Sequence, residues 1–150
     1  MATVAGDGPF STFAGVDRTL CILDGAGIRL RIDDAPARQI DVASEPLSFS
    51  GDAAAHSTLI DGAVTDFNVM TRRGRLRHAV TRVRLRAAES HDLDPDVLAV
   101  FCQQGTVSID AGDTLAPHDT WLRRRPDAGT CRLSAVAAAT VYLVTISALS

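Results

Sequence analysis

The stretch Asp66-Phe67-Asn68-Val69-Met70-Thr71-Arg72-Arg73-Gly74 places an acid, an amide, a thioether and a guanidinium at every second position. On a β-strand, Asp66, Asn68, Met70 and Arg72 share one face and Phe67, Val69 and Thr71 the other. The second face reads as core. The first suits a small polar ligand bearing a carboxylate, with Arg72 gripping it bidentately and Asn68 fixing its orientation. A solvated face of an ordinary antiparallel sheet would show the same alternation, with Met70 covering a neighbour.

Other chemistries find less support. Arg72, Arg73, Arg75, Arg77, Arg82, Arg84 and Arg86 form a dense basic run, but no aromatic side chains interleave it for base stacking. With 15 basic against 18 acidic residues, the chain also lacks the basic footprint of a nucleic-acid binder. None of His56, His78, His91 and His118 has a histidine two to four residues away, so no local metal-ligand pair exists and no metal or cofactor is expected. No serine sits in a Gly-x-Ser-x-Gly elbow and no cysteine adjoins a histidine, so no catalytic residue is assigned. Cys21, Cys102 and Cys131 are odd in number without a C-x-x-C pair, which reads as free thiols inside a core. All 15 basic residues are arginine, so side-chain contacts to anions are planar and fork-like.

The elements that must position these groups follow from alternation and turn residues. At 150 residues, 46% apolar and 5% aromatic, the chain is the size of one domain with a sizeable core. Thr19–Leu23, the turn Asp24-Gly25-Ala26-Gly27 and Ile28–Asp33 read as a hairpin, with Ile28, Leu30 and Ile32 inward and Arg29 and Arg31 in water. Strands are expected at 39–43, 55–60, 64–70, 76–86, 97–101, 106–110, 120–122, 131–133 and 140–146, with turns at Ser50-Gly51-Asp52 and Ala111-Gly112-Asp113. The polar stretch Glu89–Pro95 reads as a connection between two halves, about 1–88 and 96–150, of a single domain. A faint echo between Leu20–Asp33 and Leu98–Asp110 suggests duplicated β-units, and about ten short strands without helix-period runs indicate an antiparallel sandwich or barrel. The N-terminus shows no signal-peptide pattern, and the apolar stretch 135–149 is too short to span a bilayer, so a cytoplasmic protein without membrane contact is expected.

Three motifs together resemble the HutD/Ves family of cupin-like proteins. They are Asp7-Gly8-Pro9-Phe10-Ser11-x-Phe13-x-Gly15-Val16-Asp17-Arg18-Thr19, Glu45-Pro46-Leu47-x-Phe49-x-Gly51-Asp52, and the stretch from Asp66 to Gly74. A weaker match joins Gly112-Asp113-Thr114-Leu115 to Asp119-Thr120. The resemblance implies an all-β, cupin-like, double-lobed antiparallel barrel (bicupin or RmlC-like) without the usual metal-binding histidines. It also implies a regulatory role in histidine utilization, exerted by sensing a small carboxylate such as urocanate or an N-substituted glutamate. The ligand-binding residues expected on this basis are Phe49, Asp66, Asn68, Met70 and Arg72, with Phe49 as an apolar wall. The family pattern has a further upstream segment, and Met1-Ala2-Thr3-Val4-Ala5 resembles the second half of its Trp-Arg-x-Ser strand. An N-terminally truncated member, or a late-assigned start, is therefore expected. A metal-independent cupin-type enzyme using Asp66 or a histidine as general base is the alternative, a stress-associated role as in the Ves branch another; a homodimer stays open.

Overall fold

The computed structural model of the chain describes residues 1–110, 112–124 and 129–149. Every regular element among them is a β-strand, and every pairing is antiparallel. No helix is long and apolar enough to cross a membrane among the described residues. The chain divides into two compact units, Met1–Arg75 and Leu76–Ser150.

The first unit contains β1 (Ala2–Val4), β2 (Gly8–Pro9), β3 (Val16–Asp24), β4 (Ile28–Ile32), β5 (Arg38–Ile40), β6 (Leu47–Ser50), β7 (Ala55–Leu59) and β8 (Val64–Arg72). They form two four-stranded sheets, ordered β1-β8-β3-β6 and β2-β7-β4-β5. Leu20, Ile22 and Val64 from the first sheet meet Ile28, Leu30, Ile40 and Ala55 from the second in one buried cluster. The alternation in β4 is the cause: Ile28 and Leu30 are fully buried while Arg29 and Arg31 are exposed. Removing such side chains from water is the main favourable contribution to the unit's stability.

The second unit contains β9 (Leu76–Leu85), β10 (Glu89–Leu93), β11 (Val97–Gln104), β12 (Val107–Ile109), β13 (Asp113–Leu115), β14 (Thr120–Arg124), β15 (Gly129–Ser134) and β16 (Ala139–Ala148). Its sheets run β14-β11-β16-β9 and β10-β15-β12-β13 and share a core that includes Leu85, Val100, Ile109, Leu133 and Val141. Cys102 and Cys131 belong to this core, Cys21 is buried in the first unit, and all three are free thiols.

Several elements differ from the sequence reading. Glu89–Pro95 is not a plain connection, because Glu89 to Leu93 pair residue by residue with Leu133 to Gly129. As the outer strand of its sheet, β10 is polar and largely exposed, so it lacks the apolar alternation that marks a strand. The two units meet at Arg75/Leu76 rather than between residues 88 and 96, since β9 pairs along its whole length with β16. The strand expected over 39–43 ends at Ile40, where Asp41 Oδ1 accepts from the backbone N–H groups of Ala43 (2.9 Å) and Ser44 (3.0 Å) and turns the chain. Strands of two or three residues, such as β1, β2 and β13, are too short to show a period. In the expected turn Ala111-Gly112-Asp113, Ala111 lies outside the described residues, and Asp113 opens β13.

Candidate functional site

The register of the first unit decides which side chains meet. β3 runs between β8 and β6, with Arg18 opposite Met70 on one side and Phe49 on the other; Leu20 faces Asn68, and Ile22 faces Asp66. Directly opposed residues lie on the same face of a sheet. Because Leu20 and Ile22 belong to the core, Arg18, Asp66, Asn68 and Phe49 all share the core-facing side. Phe67 and Val69, expected in the core, lie on the opposite face and are half-buried.

At this polar end of the core is a cavity of about 540 Å³, lined in part by Asp66, Asn68 and Met70 of β8 and Ser57 of β7. Phe10 and Phe13 also line it, on the segment that follows β2. That segment is held in place by Phe10 N–H donating to Ala55 O and Phe13 N–H to Gly51 O, both at 2.8 Å.

The cation of the cavity is Arg18, only 5% exposed. Its guanidinium carbon lies 5.1, 5.9 and 4.9 Å from the ring centroids of Phe10, Phe13 and Phe49, a three-sided aromatic enclosure. Nε and Nη2 donate to Asn68 Oδ1 at 3.2 and 2.6 Å, and Nη1 donates to Ser11 O at 3.4 Å. A guanidinium has five N–H groups, so two have no protein partner among the described residues. Arg18 makes no ion pair among those residues. Burial lowers its pKa and the nearby Asp66 charge raises it, but an arginine stays a cation under such opposing shifts.

Asn68 links the two charged groups. While its Oδ1 accepts from Arg18, its Nδ2 donates to Asp66 Oδ1 at 3.1 Å, which fixes the orientation of the amide. Asp66 is 3% exposed. Burial pushes its carboxyl above the usual carboxylate range, against the hydrogen bond from Asn68, the charges of the Met1 amino group and Arg18, and a hydrogen bond from Ala2 N–H.

Of the residues expected from sequence, Asp66, Asn68 and Met70 line this cavity and Phe49 packs on its guanidinium. Arg72 is exposed at the end of β8, opposite Val16, and is not among the lining residues. The arginine that occupies the position foreseen for Arg72 is Arg18, with Phe10 and Phe13 beside it. A signal for it exists: Arg18 stands in the same period-two phase as Leu20 and Ile22, so an inward strand face delivers it to the core side. The arrangement can hold an acceptor-rich planar anion, with two N–H groups of Arg18 that have no protein partner among the described residues and three phenyl rings beside them. Among the described residues, no group of three His, Cys, Asp or Glu side chains could hold a metal ion.

A family model described as HutD matches residues 1–142. The chain is 37% identical over 70 residues to an uncharacterized 21.2 kDa protein in the hutC 3' region of Pseudomonas putida, covering 47% of this chain and 36% of that protein. It is 36% identical over 81 residues to Protein Ves of Citrobacter koseri, covering 53% of this chain and 42% of that one. The matches therefore span less than half the length of these curated relatives. Among solved structures, a conserved protein of unknown function from Pseudomonas aeruginosa PAO1 superposes with a TM-score of 0.88 at 32% identity, over 99% of this chain and 80% of that one. HutD from Pseudomonas fluorescens SBW25 superposes with a TM-score of 0.84 at 24% identity, over 99% and 77%. The fold is all-β, antiparallel and cupin-like.

Proposed function

The chain belongs to the HutD family, and from that premise we propose that it is a non-catalytic binding protein for a small carboxylate, with a regulatory role in histidine utilization. The observation that carries this reading is Arg18: 95% hidden from solvent, enclosed by three phenyl rings, and left with two uncommitted N–H donors beside a cavity. A buried guanidinium whose neighbouring carboxylate, Asp66, reaches it only through the amide of Asn68 is costly, and an anion bound directly to it supplies further compensation. The name of the Pseudomonas putida relative, which refers to hutC, supports the assignment to histidine utilization. The compounds of that pathway, urocanate and the N-substituted glutamates, are carboxylates. Asn68 orients the guanidinium, and Phe10, Phe13 and Phe49 exclude water from it.

Thermal-shift titration with urocanate, N-formylglutamate and N-formiminoglutamate tests this reading. A ligand at about 100 times its Kd adds roughly 2.7 kcal/mol of stability. Stabilisation by at least one of these acids in the natural protein, absent in Arg18→Gln, is the expected result. A melting temperature that none of them moves would contradict it.

The burial of Asp66 inside the same cavity favours one second reading, a metal-independent cupin-type enzyme in which Asp66 is the general base. Consumption of a bound acid by the purified protein, abolished in Asp66→Asn, would select it over simple binding.

A further inference from the structure

We propose that this site takes up a proton together with a monocarboxylate, the ligand's carboxylate lying on the two uncommitted N–H groups of Arg18 while Asp66 enters the complex as the neutral acid. The inference rests on the reading that Arg18 binds a carboxylate and adds what such binding demands of its neighbour.

The argument is one of charge in a confined space. Asp66 and Arg18 line one cavity, are both at least 95% buried, and are joined through a single amide, that of Asn68. The empty site holds one basic side chain, Arg18, and two acidic ones, Asp66 and Asp7. Adding a carboxylate then places a further anion beside Arg18 and Asp66, both hidden from solvent, and like charges so confined do not all stay ionised. The ligand is held by Arg18 and keeps its charge; Asp66, hidden from water, is the group that gives way by taking a proton, against the hydrogen bonds that Asn68 Nδ2 and Ala2 N–H donate to it.

The elements around Asp66 leave few alternatives. β3 contributes Arg18, β6 contributes the uncharged Phe49, and β7 contributes the hydroxyl of Ser57. The N-terminal segment contributes the Met1 amino charge and Asp7, whose Oδ1 is engaged by Leu59 N–H at 2.7 Å. The upward displacement of the Asp66 pKa agrees with a carboxyl already biased toward its neutral form. A dicarboxylate would bring a second negative charge into the same enclosure, so of the acids named above urocanate, with one carboxylate, binds more tightly than N-formylglutamate, with two.

Calorimetric titration of the natural protein with benzoate and with fumarate, between about pH 5 and pH 8 and in buffers of different ionisation enthalpy, tests this. The expected result is benzoate binding that takes up close to one proton per ligand at the alkaline end and weakens there by about tenfold per pH unit, with fumarate binding more weakly. In Asp66→Asn, benzoate binding should be independent of pH and free of proton uptake. If that variant does not fold, proton uptake by the natural protein decides alone. Benzoate binding of constant affinity without proton uptake would overturn the inference and leave the Arg18 reading standing. Absence of binding by either acid and by urocanate would overturn both.

Discussion

A guanidinium inside a β-sheet unit loses its hydration, and its retention there requires other contacts to replace what water supplied. For Arg18 these are three ring faces, a forked hydrogen bond to Asn68 and a long one to Ser11 O. The geometry uses the planarity of the group, which an ammonium lacks. Arg18→Lys keeps the charge but should weaken carboxylate binding by at least about tenfold, whereas Arg72→Ala should leave the calorimetric Kd unchanged. The acid, amide, thioether and Phe49 of this site were legible in the sequence because β8 carries three of them on one alternating face and a motif carries the fourth. Arg18 was not singled out, since its meeting with Asn68 depends on the pairing of strands 50 residues apart, and one strand's alternation carries no information about its partner's register.

The strands that present these side chains are joined by turns with little tolerance. In the β3–β4 turn, Gly27 adopts φ 99°, and a Cβ there would stand 2.5 Å from Ile40 O. Gly27→Ala should lower stability by about 1–3 kcal/mol, read from the denaturant midpoint. Asp52 ties two further segments to its own turn: its Oδ1 accepts from Gly15 N–H at 3.0 Å, and its Oδ2 accepts from Arg73 Nη1 at 2.7 Å and, within the turn, from Ser50 Oγ at 3.0 Å. Those contacts, the Gly15 bond foremost, hold its carboxyl down at about 2. A carboxyl depressed in the folded state adds stability above its ordinary pKa of about 3.9, and that contribution disappears as pH falls through the folded value. The natural protein should therefore be more stable than Asp52→Asn at neutral pH, with the difference shrinking as pH falls from about 4 to about 2. Melting temperatures measured across that range check it. Hairpins with apolar alternation, such as β3–β4, could be read directly from sequence. The edge strand β10 could not, because an exposed strand has no burial pattern to display.

For the molecule as a whole, the all-β class followed from glycine-punctuated alternation and the absence of helix-period runs, while the place where the chain divides into two units did not. Both units are built the same way, two four-stranded antiparallel sheets around one apolar cluster. The partition falls at Arg75/Leu76, inside a run of arginines that gives no compositional break. Only the long pairing of β9 with β16 assigns that strand to the second unit. The site lies within the first unit, lined by its strands β1, β2, β3, β7 and β8 and the segment bearing Phe10 and Phe13, with Phe49 of β6 on the guanidinium. The claim on which the functional account depends is that Arg18 receives the ligand's carboxylate. Its most direct measurement is NMR of the arginine Nε–H resonances during titration with urocanate: the Arg18 signal should shift and saturate while that of Arg72 stays in place. Saturation confined to exposed arginines, with the Arg18 resonance unmoved, would contradict it.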